Sequence, residues 1–325
     1  MKKFIAVLVL IIFLLSFYGC TSSGDNSSAK WENLTAENSG LPGNSVRAVA
    51  FDKNGYAWIA GYGEGLSVLK NGNWQHYKND TVNFKDNRIY TILVSREDTK
   101  WIGTFGGGLV KIWDDSIKLF SKNNSGLPDD TIYSLAEDKS GNIWIGTWGG
   151  GLAKFDGKTF SVFNSNNSPL LGNKIPSLAV DSSNTLWIGT INGLCNLTDG
   201  VWGTFPDLPQ SSVYSLCVTR KNKVYAGYKY SGLAIRNDEN WKILNTSNSG
   251  LKSSRIYSIV ESNDENIWIS VFGNGVAVLK GDKIKIFTPG NSPLQNEYIF
   301  SVAADRHNNI WMCSLKKGIF IFNEE

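Results

Sequence analysis

The groups in this sequence best suited to binding a ligand are aromatic side chains next to glycines. In NIWIGTWGGGL, residues 142–152, Trp148 stands directly before three glycines. Flat aromatic faces stack on the C–H face of a sugar ring, and short amide, hydroxyl and carboxylate groups hydrogen-bond its hydroxyls. These rings are therefore a candidate surface for an oligosaccharide ligand. The aromatic residues at comparable places are Tyr62, Phe105, Trp148, Tyr228, Tyr230 and Phe272.

A second set of candidates occupies one position of an apolar run that recurs along the chain. It comprises Tyr90, Tyr133, Tyr214, Tyr257 and Phe300, with Arg47 and Pro176 in the remaining copies. Places where the repeat breaks its own pattern are the most informative, namely Arg47, Glu64, Asn192, Lys229, Asn274, Lys316 and Lys317. Loops such as NSGLPDD, residues 124–130, add Asn, Ser and Asp. The alternative is that the rings wedge against neighbouring units and the glycines serve only as turns.

Other reactive residues are sparse. The two histidines, His76 and His307, fall in an outer strand and in a turn at the other end from the aromatic rings, so neither is placed for acid–base catalysis. The sequence contains no CxxC motif or Cys/His cluster and predicts neither a metal nor a cofactor. The aspartates six residues before a tryptophan favour turns over calcium, which needs several carboxylates close together; they are Asp52, Asp138, Asp181 and Asp305.

The three cysteines after Cys20 fall in apolar runs. Cys195, Cys217 and Cys313 are expected to be small buried hydrophobes, although a bond between Cys195 and Cys217 is an alternative in an exported protein. The formal net charge is +3, from 32 basic and 29 acidic residues that are evenly scattered. A nucleic-acid binder would show a basic stripe, so no nucleic-acid partner is predicted.

The candidate rings must be positioned by a repeat. Trp58, Trp101, Trp144 and Trp187 are 43 residues apart, and Tyr225 follows after 38. Trp268 and Trp311 continue at 43, which makes seven copies. The third copy divides into four runs separated by turn residues, which indicates four antiparallel strands. The predicted strands are Ile132 to Glu137, Ile143 to Thr147, Leu152 to Phe155 and Thr159 to Phe163.

The second strand of each copy is apolar on both faces, so each sheet needs a neighbour on either side. The sequence therefore predicts an all-β, seven-bladed β-propeller of four-stranded antiparallel blades. The seventh copy supplies only Tyr298 to Asp305, Ile310 to Ser314 and Ile319 to Asn323. Trp31 to Leu34 resembles an outermost strand, and we expect this N-terminal segment to close the last blade.

The repeat IYSLAEDKSGNIWIGTWGGGLAKFDGKTFSVF resembles the two-component regulator propeller repeat over residues 31–323. That family implies a propeller outside the cytoplasm that recognises ligands, often oligosaccharides, and passes a signal onward. No further domain or kinase motif follows Phe322, so we expect a separate partner, such as a membrane sensor kinase or an envelope protein. The fifth copy is the most divergent.

The N-terminus predicts export. Lys2 and Lys3 precede an apolar run that ends before Cys20, and a small residue before a lone cysteine resembles a bacterial lipobox. We predict a signal peptide over 1–19, a lipidated Cys20 with a flexible tether over 20–30, and the propeller over 31–325. An uncleaved signal anchor is the alternative. We therefore expect the protein at the cell envelope, either in the periplasm or on the cell surface.

Three functions remain open from sequence. The first is a lipid-anchored sensory propeller that binds an oligosaccharide or a protein. The second is an envelope scaffold that uses blade edges and faces to bind proteins. The third is an enzyme similar to streptogramin lyase, a seven-bladed family that uses histidine and glutamate with a metal. The places of the two histidines favour a protein that is not an enzyme.

Overall fold

The computed structural model describes residues 30–78, 85–237, 240–294 and 298–323, which form strands and turns. Cys20, the signal peptide and most of the tether lie outside the described residues. No helix long and apolar enough to cross a membrane occurs among the described residues. In chain order the strands are β1 (Lys30–Leu34), β2 (Val46–Phe51), β3 (Ala57–Gly61), β4 (Gly65–Lys70), β5 (Asn73–Tyr77), β6 (Ile89–Val94), β7 (Lys100–Thr104), β8 (Leu109–Trp113), β9 (Ser116–Phe120), β10 (Ile132–Glu137), β11 (Ile143–Thr147), β12 (Leu152–Phe155), β13 (Phe160–Phe163), β14 (Ser177–Val180), β15 (Leu186–Thr190), β16 (Gly193–Thr198), β17 (Val201–Thr204), β18 (Val213–Val218), β19 (Val224–Tyr228), β20 (Leu233–Asn237), β21 (Asn240–Leu244), β22 (Ile256–Glu261), β23 (Ile267–Val271), β24 (Val276–Lys280), β25 (Lys283–Phe287), β26 (Ile299–Ala304), β27 (Ile310–Ser314) and β28 (Ile319–Asn323).

These strands form seven antiparallel sheets of four, which confirms the predicted propeller. Blades one to six are β2–β5, β6–β9, β10–β13, β14–β17, β18–β21 and β22–β25. The first strand of every blade contacts the first strand of the next, and β26 of blade seven contacts β2 of blade one. The ring is therefore closed around a central channel.

Blade seven is completed by the N-terminal strand, as predicted. Strand β1 pairs antiparallel with β28, and Trp31 stands opposite Phe322. The Trp31 ring lies 4.8 Å from that of Phe322 and 5.6 Å from that of Phe287 in blade six. This pairing covers an edge of β28 that would otherwise be open.

The repeated tryptophan belongs to the core. Every residue of β11 is buried, and Trp144 is 6% exposed. Its Nε1 donates a hydrogen bond to Oδ2 of Asp138 at 3.0 Å. The same carboxylate accepts the backbone N–H groups of Ser140 and Asn142, so Asp138 shapes the turn as predicted and also satisfies the buried indole. Equivalent indole bonds join Trp58 to Asp52, Trp187 to Asp181 and Trp311 to Asp305.

Hydrogen bonds set the ionisation of Asp138. Burial alone would raise its pKa, but the bonds from Asn142, Trp144 and the turn backbone outweigh burial and hold the pKa below its usual value. The carboxylate is therefore charged at neutral pH and ties each side of the turn to the core.

Adjacent blades are also joined at this end. The backbone N–H of Lys139 in blade three donates to Oδ1 of Asn184 in blade four at 2.8 Å, and Ser182 donates in the same way to Asn222 in blade five. Asn184 and Asn222 both have φ near +64°, at 65° and 63°, a conformation that asparagine tolerates better than most residues. These contacts hold one blade against the next.

The disulfide alternative is excluded, because Cys195 and Cys217 are free thiols. Cys195 and Cys313 are buried as expected, and Cys217 is half-buried. Cys195 packs in the cluster between blades three and four, whereas Cys217 packs against the cluster between blades five and six, so the thiols face different interfaces. One strand boundary needs correction. The outer strand of blade three begins at Phe160 and not at the predicted Thr159. Thr159 belongs to the preceding turn, where its backbone N–H donates to Oδ1 of Asp156 at 2.7 Å.

Candidate functional site

The candidate site is the mouth, the end of the channel where the turns between second and third strands meet the loops between blades. Its innermost residues, here called the belt, stand at the start of the first strands. In six blades the pairing of the first and second strands shifts register at this residue, as between Ile132 and Ser134 around Tyr133. The equivalent shifts surround Arg47, Tyr90, Tyr214, Tyr257 and Phe300. A bulge re-aims a side chain, which explains how these residues leave the core pattern.

On one side of the mouth the belt continues into a stack of rings. Tyr90 and Tyr133 have centroids 4.4 Å apart, and Tyr133 stacks on Trp148 at 4.1 Å. Tyr90 also stacks on Phe105 at 5.3 Å and meets Tyr62 edge-on at 5.9 Å. The turns of blades one to three therefore add their rings to the belt.

A second stack lines the other side. Tyr214 lies parallel to Tyr257 at 5.1 Å, and Tyr257 lies on Phe272 at 4.3 Å. Phe272 contacts Phe300 at 6.1 Å and Tyr298 at 4.7 Å. The two stacks bring together sequence candidates from six blades, all except blade four.

Arg47 joins the two stacks. Its Cζ lies 4.9 Å from the ring centroid of Tyr90 and 4.4 Å from that of Phe300. Burial lowers the pKa of Arg47, and the nearby hydroxyls of Tyr90, Tyr133, Tyr214 and Tyr257 oppose that decrease. Because an arginine begins near 12.5, the guanidinium stays charged.

Two tyrosines of the belt, Tyr133 and Tyr257, are hydrogen-bond donors at neutral pH. Burial raises the pKa of Tyr133, and its contact with Tyr90 raises it further. Burial also raises the pKa of Tyr257. A neutral phenol keeps its O–H, which can donate to a sugar hydroxyl.

Part of this aromatic surface faces solvent. Among the described residues, five large apolar side chains are exposed, and three of them lie at the mouth: Tyr62 at 40%, Tyr230 at 59% and Tyr298 at 42%. The sequence placed Tyr298 at the start of a strand and not in the site. In the structure it lies one residue before β26, in the loop at the mouth. The rings thus pack on one another, as the wedge alternative requires, and still leave faces open to a ligand.

Tyr228 does not belong to the mouth. It is fully buried between blades four and five, in a cluster with Trp187 and Val213. Its place follows from the repeat: it lies three residues after Tyr225, as the buried Thr147 lies three after Trp144. The fifth copy therefore contributes Tyr230 to the mouth and Tyr228 to the core.

Several polar groups expected at the mouth are used within the loops. Asn124 accepts the N–H of Ser121 and donates to the carbonyl of Leu119, and Asp130 accepts the N–H of Lys122. Asn192 donates to the carbonyl of Leu171 at 2.7 Å. Glu64 forms an ion pair with Lys78 at 3.7 Å. Asn274, in the turn of blade six, is half-buried.

Cations at the mouth lie over the rings. The Nζ of Lys174 is 5.0 Å from the Trp148 centroid, and the Nζ of Lys229 is 5.5 Å from Tyr214 and 5.1 Å from Tyr230. Arg255 lies 5.5 Å from Tyr230. Such contacts hold a cation at an aromatic face without neutralising it.

Neither histidine is at the mouth. His76 is exposed on the outer strand β5, with Nδ1 3.0 Å from Oγ of Ser67. His307 lies in a turn at the opposite end, where its Nε2 accepts from Arg306 at 3.1 Å. Within the described ranges, no group of three or more His, Cys, Asp or Glu is arranged to hold a metal.

Three segments of the chain match the family model described as two component regulator propeller: residues 40–63, 126–149 and 169–192. Each runs from a blade-to-blade loop through the first and second strands to the turn after them, which carries Tyr62 in the first segment and Trp148 in the second. The chain carries two component regulator propeller repeats. The family resemblance seen in the sequence is confirmed. A search of curated proteins by sequence gives no match.

Solved structures resemble this chain in fold. The extracellular domain of BT3049 from B. thetaiotaomicron, described as a hybrid two component system, has a TM-score of 0.78 at 21% identity over 91% of this chain. The match spans only 42% of that chain. A catalytically inactive virginiamycin B lyase from Staphylococcus aureus, solved with quinupristin, has a TM-score of 0.73 at 16% identity over 92% of this chain and 99% of its own.

A third similar structure is YCF48 from Cyanidioschyzon merolae, with a TM-score of 0.66 at 12% identity. That match covers 90% of this chain and 98% of the other. Since these identities are all low, the three likenesses show a shared fold.

Proposed function

We propose that this chain is an exported, lipid-anchored sensory protein that binds an oligosaccharide at the mouth. The observation that carries the proposal is the pair of ring stacks around Arg47, which leaves Tyr62, Tyr230 and Tyr298 exposed on the same surface. Stacked rings stabilise a sugar through its C–H face, and the protonated tyrosines offer directional hydrogen bonds.

The repeats support a place in two-component signalling. The similar structures include extracellular domains of proteins described as hybrid two component systems. A membrane sensor kinase or another envelope protein is the proposed partner that receives the signal. The bound oligosaccharide would shift the conformational equilibrium of that partner through contacts at or next to the mouth.

Titration of the full chain with plant and bacterial oligosaccharides tests ligand binding. Tryptophan fluorescence should change saturably with at least one glycan, and Trp148→Ala should abolish the response. Trp113→Ala is the matched control, because Trp113 is also half-buried but lies at the opposite end of the propeller. If tryptophan fluorescence does not change with any glycan of the panel, and another protein stably co-purifies, the result would instead support the envelope scaffold.

A separate experiment tests the anchor. Wild-type protein should fractionate with membranes and incorporate labelled palmitate, whereas Cys20→Ser should lose the label and enter the soluble fraction. A Cys20→Ser variant that stays in the membrane fraction would support the uncleaved signal anchor.

A further inference from the structure

Five cations lie against the rings of the mouth: Arg47, Arg88, Lys174, Lys229 and Arg255. Arg88 is paired with Asp86. Within the described part of the chain, none of the other four forms an ion pair with a carboxylate. Each of these four is held by an aromatic face, so its positive charge remains available.

Three acidic residues around the mouth have partners of their own. Asp86 is paired with Arg88, whose Nη2 is 2.6 Å from its Oδ2 and whose Nε is 2.9 Å from its Oδ1. Glu64 is paired with Lys78. Asp129 accepts the N–H of Thr131 at 2.9 Å, within its own loop. Asp86 and Glu64 therefore neutralise other cations, and Asp129 shapes its loop while it keeps its charge, so the four unpaired cations have no carboxylate partner at the ring faces.

The belt is interrupted at blade four. Pro176 stands where other blades carry an aromatic residue or Arg47, and regular pairing there begins at Ser177 without a register shift. No ring of blade four reaches across from Tyr133 and Trp148 to Tyr214 among the ring contacts of the described residues. This gap separates the two ring stacks.

Two of the cations flank the gap. The carbonyl of Lys174 accepts the N–H of Ile191 at 3.2 Å, and the carbonyl of Ile191 accepts the hydroxyl of Ser212 at 3.2 Å. The carbonyl of Ser212 then accepts the N–H of Lys229 at 2.9 Å. These three bonds link the segments of Lys174 and Lys229 through Ile191 and Ser212, so the two lysines lie on either side of blade four, one beside Trp148 and the other beside Tyr214.

We propose that the mouth is specific for an anionic oligosaccharide, with the carboxylate or sulfate of one sugar placed at the blade-four gap between Lys174 and Lys229. The inference rests on the proposed function and names its ligand class. The rings on either side stack on the neighbouring sugars. A neutral glycan would offer these ammonium groups no anionic partner, whereas an anionic glycan would form charge-assisted hydrogen bonds with them.

Isothermal titration of the full chain with trigalacturonate and with its methyl ester tests the proposal, because the two ligands share a backbone and differ in charge. The acid should bind about tenfold or more tightly than the ester, as expected for a charge-assisted contact. Its affinity should also fall as salt rises from about 0.05 M to about 0.5 M. A sulfated disaccharide, titrated in parallel, shows whether sulfate or carboxylate is preferred.

The variants Lys174→Gln and Lys229→Gln should each weaken binding of the anionic ligand about three- to tenfold and reduce its salt dependence. Lys158→Gln is the control, since Lys158 is exposed in a turn at the opposite end. Equal or tighter binding of neutral glycans, or no effect of the two variants on binding of an acid, would overturn the inference and leave the proposed function in place. Failure of every neutral and anionic glycan to bind would overturn both.

Discussion

Trp144 and Trp148 stand four residues apart in one blade and should respond to truncation in opposite ways. Trp144 is buried at 6% exposure, and its indole hydrogen-bonds to Asp138 at 3.0 Å. Trp144→Ala leaves a large cavity and removes a partner of a buried carboxylate. We expect a loss of about 3–5 kcal/mol of unfolding free energy.

Trp148 is half-buried and stacks on Tyr133 at 4.1 Å. Trp148→Ala should cost about 1–2 kcal/mol, from its aromatic pair with Tyr133 and its contact with Lys174. For a chain of 325 residues, the usual unfolding entropy per residue makes 1 kcal/mol equal to about 1.5 °C in Tm. The expected decreases are therefore about 4–8 °C for Trp144→Ala and about 1.5–3 °C for Trp148→Ala.

Differential scanning calorimetry of both variants measures these shifts, and glycan titration measures binding. Trp144→Ala should retain ligand affinity at a temperature where it is folded, whereas Trp148→Ala should lose it. Equal decreases in Tm, or a greater decrease for Trp148→Ala, would place Trp148 in the core and refute its assignment to the ligand surface.

Three further predictions concern the fold. Because the folded-state pKa of Asp138 lies below its unfolded value, Asp138→Asn should destabilise by about 1.5–3 kcal/mol at neutral pH. That difference should be complete above the unfolded-state pKa of about 4 and should shrink as pH falls below it; a difference in Tm that stays constant to about pH 3 would contradict this origin. Burial raises the pKa of Cys195 and Cys217 to about 12, and raises that of Cys313, so a thiol reagent at about pH 8 should modify none of them until denaturant is added; rapid modification of the native protein would show that blades open locally. Trp31→Ala should lower the urea midpoint, with a loss of about 2–3 kcal/mol for a half-buried ring, whereas Glu32→Ala on the same strand should not; equal midpoints would mean that β1 does not hold the ring closed.

The architecture could be predicted because its signals are local and repeated. The spacing of Trp144 from its copies gave the number of blades, and the match of Trp31 to an outer strand gave the closure. Strands β10, β11 and β12 have the predicted bounds, since glycine and asparagine turns separate them. The hydrogen bond from Trp144 to Asp138 was not predicted, because it depends on two strands folding back on one turn.

The mouth was predictable only in part. Spacing identified the belt position of Tyr133, but the register shift that turns its side chain depends on pairing with β11. Tyr228 and Tyr230 both looked like turn aromatics, and only burial between two blades separates them. The loop residue Asn124 looked available to a ligand, yet its side-chain amide is hydrogen-bonded within the loop.

Ligand binding at the mouth, and at no other surface, can be mapped by hydrogen–deuterium exchange of the full chain with and without the glycan that binds most tightly. We expect slower exchange at the mouth turns, residues 62–64, 105–108, 148–151, 229–232 and 272–275, and unchanged exchange at the opposite turns, residues 53–55, 96–98 and 139–141. Protection confined to the opposite turns or to the outer strands would contradict binding at the mouth.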